Sequence, residues 1–356
     1  MTTQARGADA SDNRAGGGKP KARHPFAVWL KELPPGLWML LLQMLVFSAI
    51  DYHFNGNLNY LGRGNLGNIL VQSAPLMILS FAQTLIVLTQ GTDLSLGAQV
   101  SLVTVVWVLL ANRGVNIYAA AAAGLAAAVA IGSLNGLLVS KGRIPPFIAT
   151  FGTQNVAMST ALLLTAGSSI YHYHPIFEWV METNLAASPP LPGFIANGVM
   201  IFTRMPVIIA AGAFALTWIL LYRTKFGTNI FGLGGNQEAL ALAGISIAGS
   251  YVKTYAYAGF LAGVCGLLTA CRVESGQPIG AMGWEFEAVA ATLLGGTSLR
   301  EGRGGVTGTI IGVLFLMSLR NGLNYHGISA MYQNAIIGSI VMLAIVVDGL
   351  VRRGRD

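Results

Sequence analysis

Apolar runs of about eighteen or more residues recur along most of this chain, separated by short polar or glycine-rich turns, as membrane-crossing helices require. The runs predict ten segments, near 37–54, 67–89, 94–111, 115–139, 147–167, 204–222, 251–271, 286–299, 305–323 and 330–350. The eighth is short and ends on glycines, which predicts a broken or re-entrant segment. Only two connections are long, 168–203 and 223–250, so no separate soluble domain fits between the spans. Within the second, "GGNQEALALAGI" (234–245) carries Asn236, Gln237 and Glu238 yet is too short to cross a bilayer. Asn236 is a good N-cap, Glu238 places a negative charge in the first turn, and Gly244 supplies a left-handed stop. Together they predict a helix of two turns. A helix this short is unstable in isolation, so it needs a surface to dock on, either its own bundle or a partner.

Composition sharpens the class. With 54% hydrophobic and only 10% charged residues, the chain departs from soluble domains in both directions. Its net charge of +7 therefore bears on topology before nucleic acid, because no soluble module gathers basic and aromatic residues on one face. With the N-terminus in the cytoplasm, the outer side receives Arg63, Arg113, Arg204, Arg272 and Arg320, five of the 21 basic residues, and the remaining 16 lie inside. The expected fold is an all-α polytopic membrane helix bundle of about ten transmembrane segments with both termini cytoplasmic. Its parts are a disordered tail over 1–35, a transmembrane domain over 36–351 with a cytoplasmic loop at 223–250, and a cytoplasmic C-terminal tail over 352–356. The first span lies too far along, without a small-residue cleavage site, for a signal peptide, and reads as an uncleaved anchor. Cys265 and Cys271, six apart on one apolar helix, point in different directions and suit packing rather than a disulfide or metal site.

Small residues predict how the spans associate, since lipid is as apolar as leucine and close packing must supply the attraction. Gly124, Ala128, Gly132 and Gly136 form one ladder at four-residue spacing, Gly259 and Gly263 a second, and Gly304, Gly308 and Gly312 a third. Polar residues within or beside the spans are few. Gln83, Asp93, Gln99, Gln154 and Asn155 are candidates for a translocation path, against the plainer readings of interhelical bonding and, for Asp93 or Ser95, capping of the following helix. Glu285 and Glu287 flank the mouth of the eighth segment, where they meet a docking protein or face water. His172 and His174 lie in the long outer loop without further ligands, so no metal site is expected, and nothing in the chain requires a cofactor.

Four stretches taken in order resemble a known family: "LTQGTDLSLGAQVSL" (88–102), "GLGGNQEALALAGI" (232–245), "LLGGTSLREGRGGVTGTIIG" (293–312) and "NGLNYHGISAMYQNAIIGSIVMLAIVVD" (321–348). They are similar to the permease subunits of bacterial ABC importers of the ribose/xylose/galactose class, from about residue 37 to 351. The resemblance implies a short cytoplasmic coupling helix that fits a groove on the ATPase subunit. Glu238, Ala239 and Gly244 match the family's Glu-Ala-Ala…Gly signature, with Leu240 in place of the second alanine. Gly235, Asn236, Gln237 and Ile245 complete the implied coupling element. It further implies an ABC ATP-binding subunit, a periplasmic substrate-binding protein and a second permease copy or paralogue as partners, in the lipid of the bacterial inner membrane.

The residues agree with that implication in one respect. No G-x-x-x-x-G-K-[ST] phosphate loop is present, and "GGGKP" (16–20) lacks both the Ser/Thr and the strand–loop–helix setting, so ATP hydrolysis belongs on another polypeptide. An ion-coupled secondary transporter is the competing class. It calls for ionisable residues near mid-bilayer, whereas the candidates here fall at span ends. A membrane-embedded enzyme requires clustered His, Asp or Cys on facing helices, and the sequence offers none.

Overall fold

The computed structural model describes residues 35–185, 201–299 and 302–353, and these are all-helical apart from two short strands. Most of the expected tail (1–34), part of the 168–203 connection (186–200), Arg300, Glu301 and residues 354–356 lie outside the described residues. In chain order the helices are α1 (Pro35–Asn55), α2 (Arg63–Leu88), α3 (Leu96–Asn112), α4 (Ile117–Ser140), α5 (Pro146–Leu164), α6 (Pro175–Glu182), α7 (Met205–Arg223), α8 (Lys225–Gly235), α9 (Gln237–Leu242), α10 (Ile247–Val273), α11 (Trp284–Leu294), α12 (Val306–Tyr325) and α13 (Ala330–Arg353). Strand β1 (Ile170–Tyr171) pairs antiparallel with β2 (Ser275–Gly276).

Each expected segment coincides with a helix, but they are not equal. Seven, α1, α2, α4, α5, α7, α10 and α12, are long and apolar enough to cross a membrane. The third and eighth expected segments, α3 and α11, have 17 and 11 residues, and the apolar part of α13 is also short by that measure. At 1.5 Å per residue, α11 reaches only about 16 Å, half the hydrocarbon thickness. The approach to α11 is non-helical and runs along α3: the Ala281 amide donates to Ser101 Oγ (3.1 Å) and the Gln277 amide to Thr104 Oγ1 (3.0 Å). Irregular backbone persists in a membrane where protein groups satisfy it. The eighth segment is therefore a short helix with an irregular approach, stopped at its far end by Gly295 and Gly296, the latter at φ +88°.

The core lies among α2, α3, α10 and α12. The most apolar window of α2 is 78% buried, against 17% for α1, which leaves α1 an outer face of exposed Leu41, Leu42 and Leu45. Two glycine ladders form the seams. Those of α4 and α10 face each other: a Cβ on Gly132 would strike the Tyr255 carbonyl, one on Gly136 would lie 2.6 Å from Val252 Cα, and one on Gly259 would strike the Ala128 carbonyl. Gly312 likewise approaches Ala291 on α11, and Gly308 approaches Gly295 just past its end. Gly304 departs from the expected third ladder. It precedes α12 at φ +131°, against Thr297, since α12 begins only at Val306.

Valine at Gly259 should consequently sharply lower the amount of folded protein in the membrane, since backbone on both helices must separate, at about 1–3 kcal/mol or more. Valine at Gly152, where no atom lies within 4 Å of the added carbon, should change little. Equal abundance and equal thermal stability of the two variants in detergent would contradict the seam.

Candidate functional site

The polar-tipped stretch at 234–245 folds as its local chemistry dictates. Asn236 Oδ1 accepts from the Ala239 amide (2.9 Å), α9 follows, and Gly244 ends it at φ +76°. One face of α9 holds to its own chain: Leu240 is buried against Gly232 of α8, and the Gln237 amide donates to Tyr251 Oη of α10 (2.9 Å) and to the Leu233 carbonyl (3.1 Å). The other face is open. Glu238, Ala239 and Ala241 are exposed, and Leu242 is 90% exposed at the tip. Leu240, the departure from the signature, thus serves the bundle, and Leu242 is the apolar side chain left free.

The base of this element is fixed to the transmembrane core at Gly234. Its carbonyl accepts from the Gln90 side chain (2.7 Å), and a Cβ on Gly234 would strike the Leu88 carbonyl at the end of α2 and lie 3.1 Å from Gly302 Cα. Gly302, at φ +59°, approaches Gly234 backbone equally closely. Three segments distant in sequence meet there with no side chain between them, which only glycine permits.

Three residues beyond Gln90, Asp93 is fully buried. Its Oδ1 accepts from the Ser95 amide (2.7 Å) and Ser95 Oγ (2.6 Å), and its Oδ2 from Asn135 Nδ2 of α4 (3.4 Å). Asn135 also donates to Ser95 Oγ (2.8 Å) and accepts from Thr153 Oγ1 of α5 (2.6 Å), while the Gln99 amide donates to Ser95 Oγ (2.8 Å). The Gln83 amide bonds both the carbonyl and the amide of Asp93, at 3.1 and 3.3 Å. The Ser95 side chain makes no capping bond to the first turn of α3, whereas Asp93, just before the helix, accepts the Ser95 amide at its start. Asp93 also bridges, joining α2, α3, α4 and α5 at one point.

Residues 65–346, which hold both sites, match the family model described as branched-chain amino acid transport system / permease component. The chain belongs to this ABC permease family. The permease is 34% identical over 326 residues to the ribose import permease protein RbsC of Escherichia coli (strain K12), covering 92% of this chain and 96% of that one. It is also 34% identical over 319 residues to RbsC of Bacillus subtilis (strain 168), covering 90% and 93%. It is 31% identical over 337 residues to the galactose/methyl galactoside import permease protein MglC of Salmonella typhimurium (strain LT2), covering 91% and 96%. No solved structure matches it. The permease is thus a transport protein of the bacterial inner membrane.

The remaining candidates in the permease separate from the Asp93 cluster. Gln154 donates to Glu285 Oε1 (3.1 Å), and Glu285 is buried. Glu285 does not face water as its place beside the eighth segment suggested, because the bend at Gly283 turns it back toward Gly97 of α3. Glu287 stays nearer solvent in a 2.7 Å ion pair with Arg320. Asn155 is exposed on α5, bonded only to its own helix at the Phe151 carbonyl (2.8 Å). His174 caps α6 by accepting from the Ile176 amide (3.2 Å), and His172 bonds Asn112 Oδ1 (2.7 Å). Sequence reasoning missed Asn135, Thr153 and Tyr251. Only the Asn135 position, an amide inside a glycine ladder, carried a signal.

Proposed function

We propose that the permease forms the membrane path of an ATP-driven importer for a monosaccharide or a related small, neutral polyhydroxy solute. The cargo class rests on relatives named for ribose, galactose and D-allose, the last 30% identical over 317 residues. A periplasmic binding protein delivers the solute to the end carrying Arg272 and Arg320, and a separate ABC ATP-binding subunit acts on α9. The observation that carries this reading is the open face of α9 on a base held to α2. A push on Glu238 and Leu242 moves Gly234, Gly234 bears on Leu88 and Gln90, and Asp93 passes the displacement to α3, α4 and α5.

The rest of the architecture follows the same reading. Ten segments, with α3, α11 and α13 completing the set, place both termini and α9 on the cytoplasmic side. Residues 1–35 form a cytoplasmic tail, and 36–351 a single transmembrane domain. A second copy covers α5, whose exposed face carries Asn155, Ser159 and Thr160 among apolar residues. Amides and hydroxyls facing outward there suit another helix or a polar path better than lipid.

Cysteine at Leu242 tests the docking. In membranes holding the ATP-binding subunit, it should cross-link to that subunit and react with impermeant thiol reagents only from the cytoplasmic side. Reaction from the outside, or no cross-link to the ATP-binding subunit, would refute it.

A further inference from the structure

A cavity of about 290 Å³ opens between α2, α10, α11 and α12, lined in part by Gln72, Arg272, Gln277, Trp284, Glu287 and Arg320. Glu287 and Arg320 form their ion pair on its wall, with side chains only 25% and 26% exposed. Among the described residues, the Arg272 guanidinium, the Gln72 amide and the Trp284 indole N–H have no hydrogen-bond partner. These groups lie on membrane segments. Gln72 is nine residues into α2, about 14 Å along the helix, Trp284 opens α11, and Arg272 lies one residue before the end of α10, exposed at the cavity. Polar groups with unfilled valences at such positions face water or a polar solute, since lipid would leave them unsatisfied.

Their chemistry narrows the solute. The guanidinium and indole N–H are donors, the Glu287 carboxylate accepts, and the amides do both, the pattern a ring of hydroxyls matches group for group. An anion would meet Arg272 but also Glu287, and Arg320 is already neutralised by that carboxylate. Trp284 adds a flat apolar plate for the C–H face of a ring. The volume of about 290 Å³ falls just below the ~300–1,000 Å³ typical of small-molecule sites, room for one ring and little more. Gln83, Asp93 and Gln99 are by contrast fully buried and bonded into the protein.

We infer that this cavity is a holding site for a single neutral polyhydroxylated ring on its way through the permease, with Trp284 as its stacking surface. The inference rests on the transport reading above, but its test does not depend on the ATPase. The full-length chain, with Cys265 and Cys271 replaced by alanine and Gln72→Cys introduced, is placed in proteoliposomes and reacted with an impermeant methanethiosulfonate. Gln277→Cys serves as a second reporter where the first fails to insert. The thiol should react, and millimolar D-ribose, D-allose or D-galactose should slow the reaction at least threefold. Adding Trp284→Ala should abolish that protection, read as the ratio of the rates with and without sugar in that same variant. A thiol that does not react, or protection by sulfate but by none of the sugars, overturns the site. So does reaction unaffected by all three sugars. If the assembled importer still takes up one of these sugars, that last result leaves the proposed function standing and removes only the holding site.

Discussion

Replacing Glu238 with lysine is expected to cut solute uptake and transport-stimulated ATP hydrolysis at least tenfold while leaving the permease at normal abundance in the membrane. The side chain is exposed in the first turn of α9 and has no hydrogen-bond or ionic partner among the described residues. What anchors α9, namely Leu240 beneath it, Gln237 on Tyr251 and the Asn236 cap, remains in place. Reversal removes a favourable charge at a helix N-terminus, a small local effect screened by water. At a docking surface the same reversal sets the wrong charge against a partner, where juxtaposed like charges cost several kcal/mol. Uptake, ATPase activity and membrane abundance measured together decide it. Full transport by the lysine variant would make α9 an ordinary loop helix resting on its own bundle.

Asp93→Ala should act in the opposite way, on the fold. Its carboxylate holds the Ser95 amide and hydroxyl and the Asn135 amide where none can reach water. Stranding such groups costs about 1–3 kcal/mol each, so a loss of about 3 kcal/mol or more is expected, seen as depleted membrane protein and earlier thermal unfolding in detergent. Asp93→Asn retains an acceptor for the Ser95 amide and should recover most of that stability. If Asp93 instead contacted solute in an open path, the alanine variant would lose uptake with its unfolding temperature unchanged.

The local features were legible in the sequence. The Asn236 cap, the Gly244 stop and the ladders of α4 and α10 depend on residues a few positions apart, and they stand where the sequence puts them. The ten hydrophobic segments each coincide with a helix for the same reason, although hydropathy overran the end of the eighth, where Gly295 stops it at Leu294. Features made by distant residues were not legible. Helix α8 contains Gly227, Gly232, Gly234 and Gly235, a poor helical sequence, and it folds because Ile230 and Leu233 are buried. The β1–β2 pairing joins residues about a hundred positions apart. Gln83, Asp93 and Gln99 were visible one by one as odd polar residues. Their convergence with Asn135 and Thr153 exists only once four helices have assembled.

The most direct test of the central claim is transport with the energy source controlled. The permease is reconstituted in proteoliposomes with an ABC ATP-binding subunit and a periplasmic binding protein, and uptake of a labelled neutral monosaccharide is followed in the absence of any ion gradient. The account predicts uptake that requires ATP and both partners. Uptake by the permease without them, driven by a proton or sodium gradient, would contradict it and make the protein a secondary transporter.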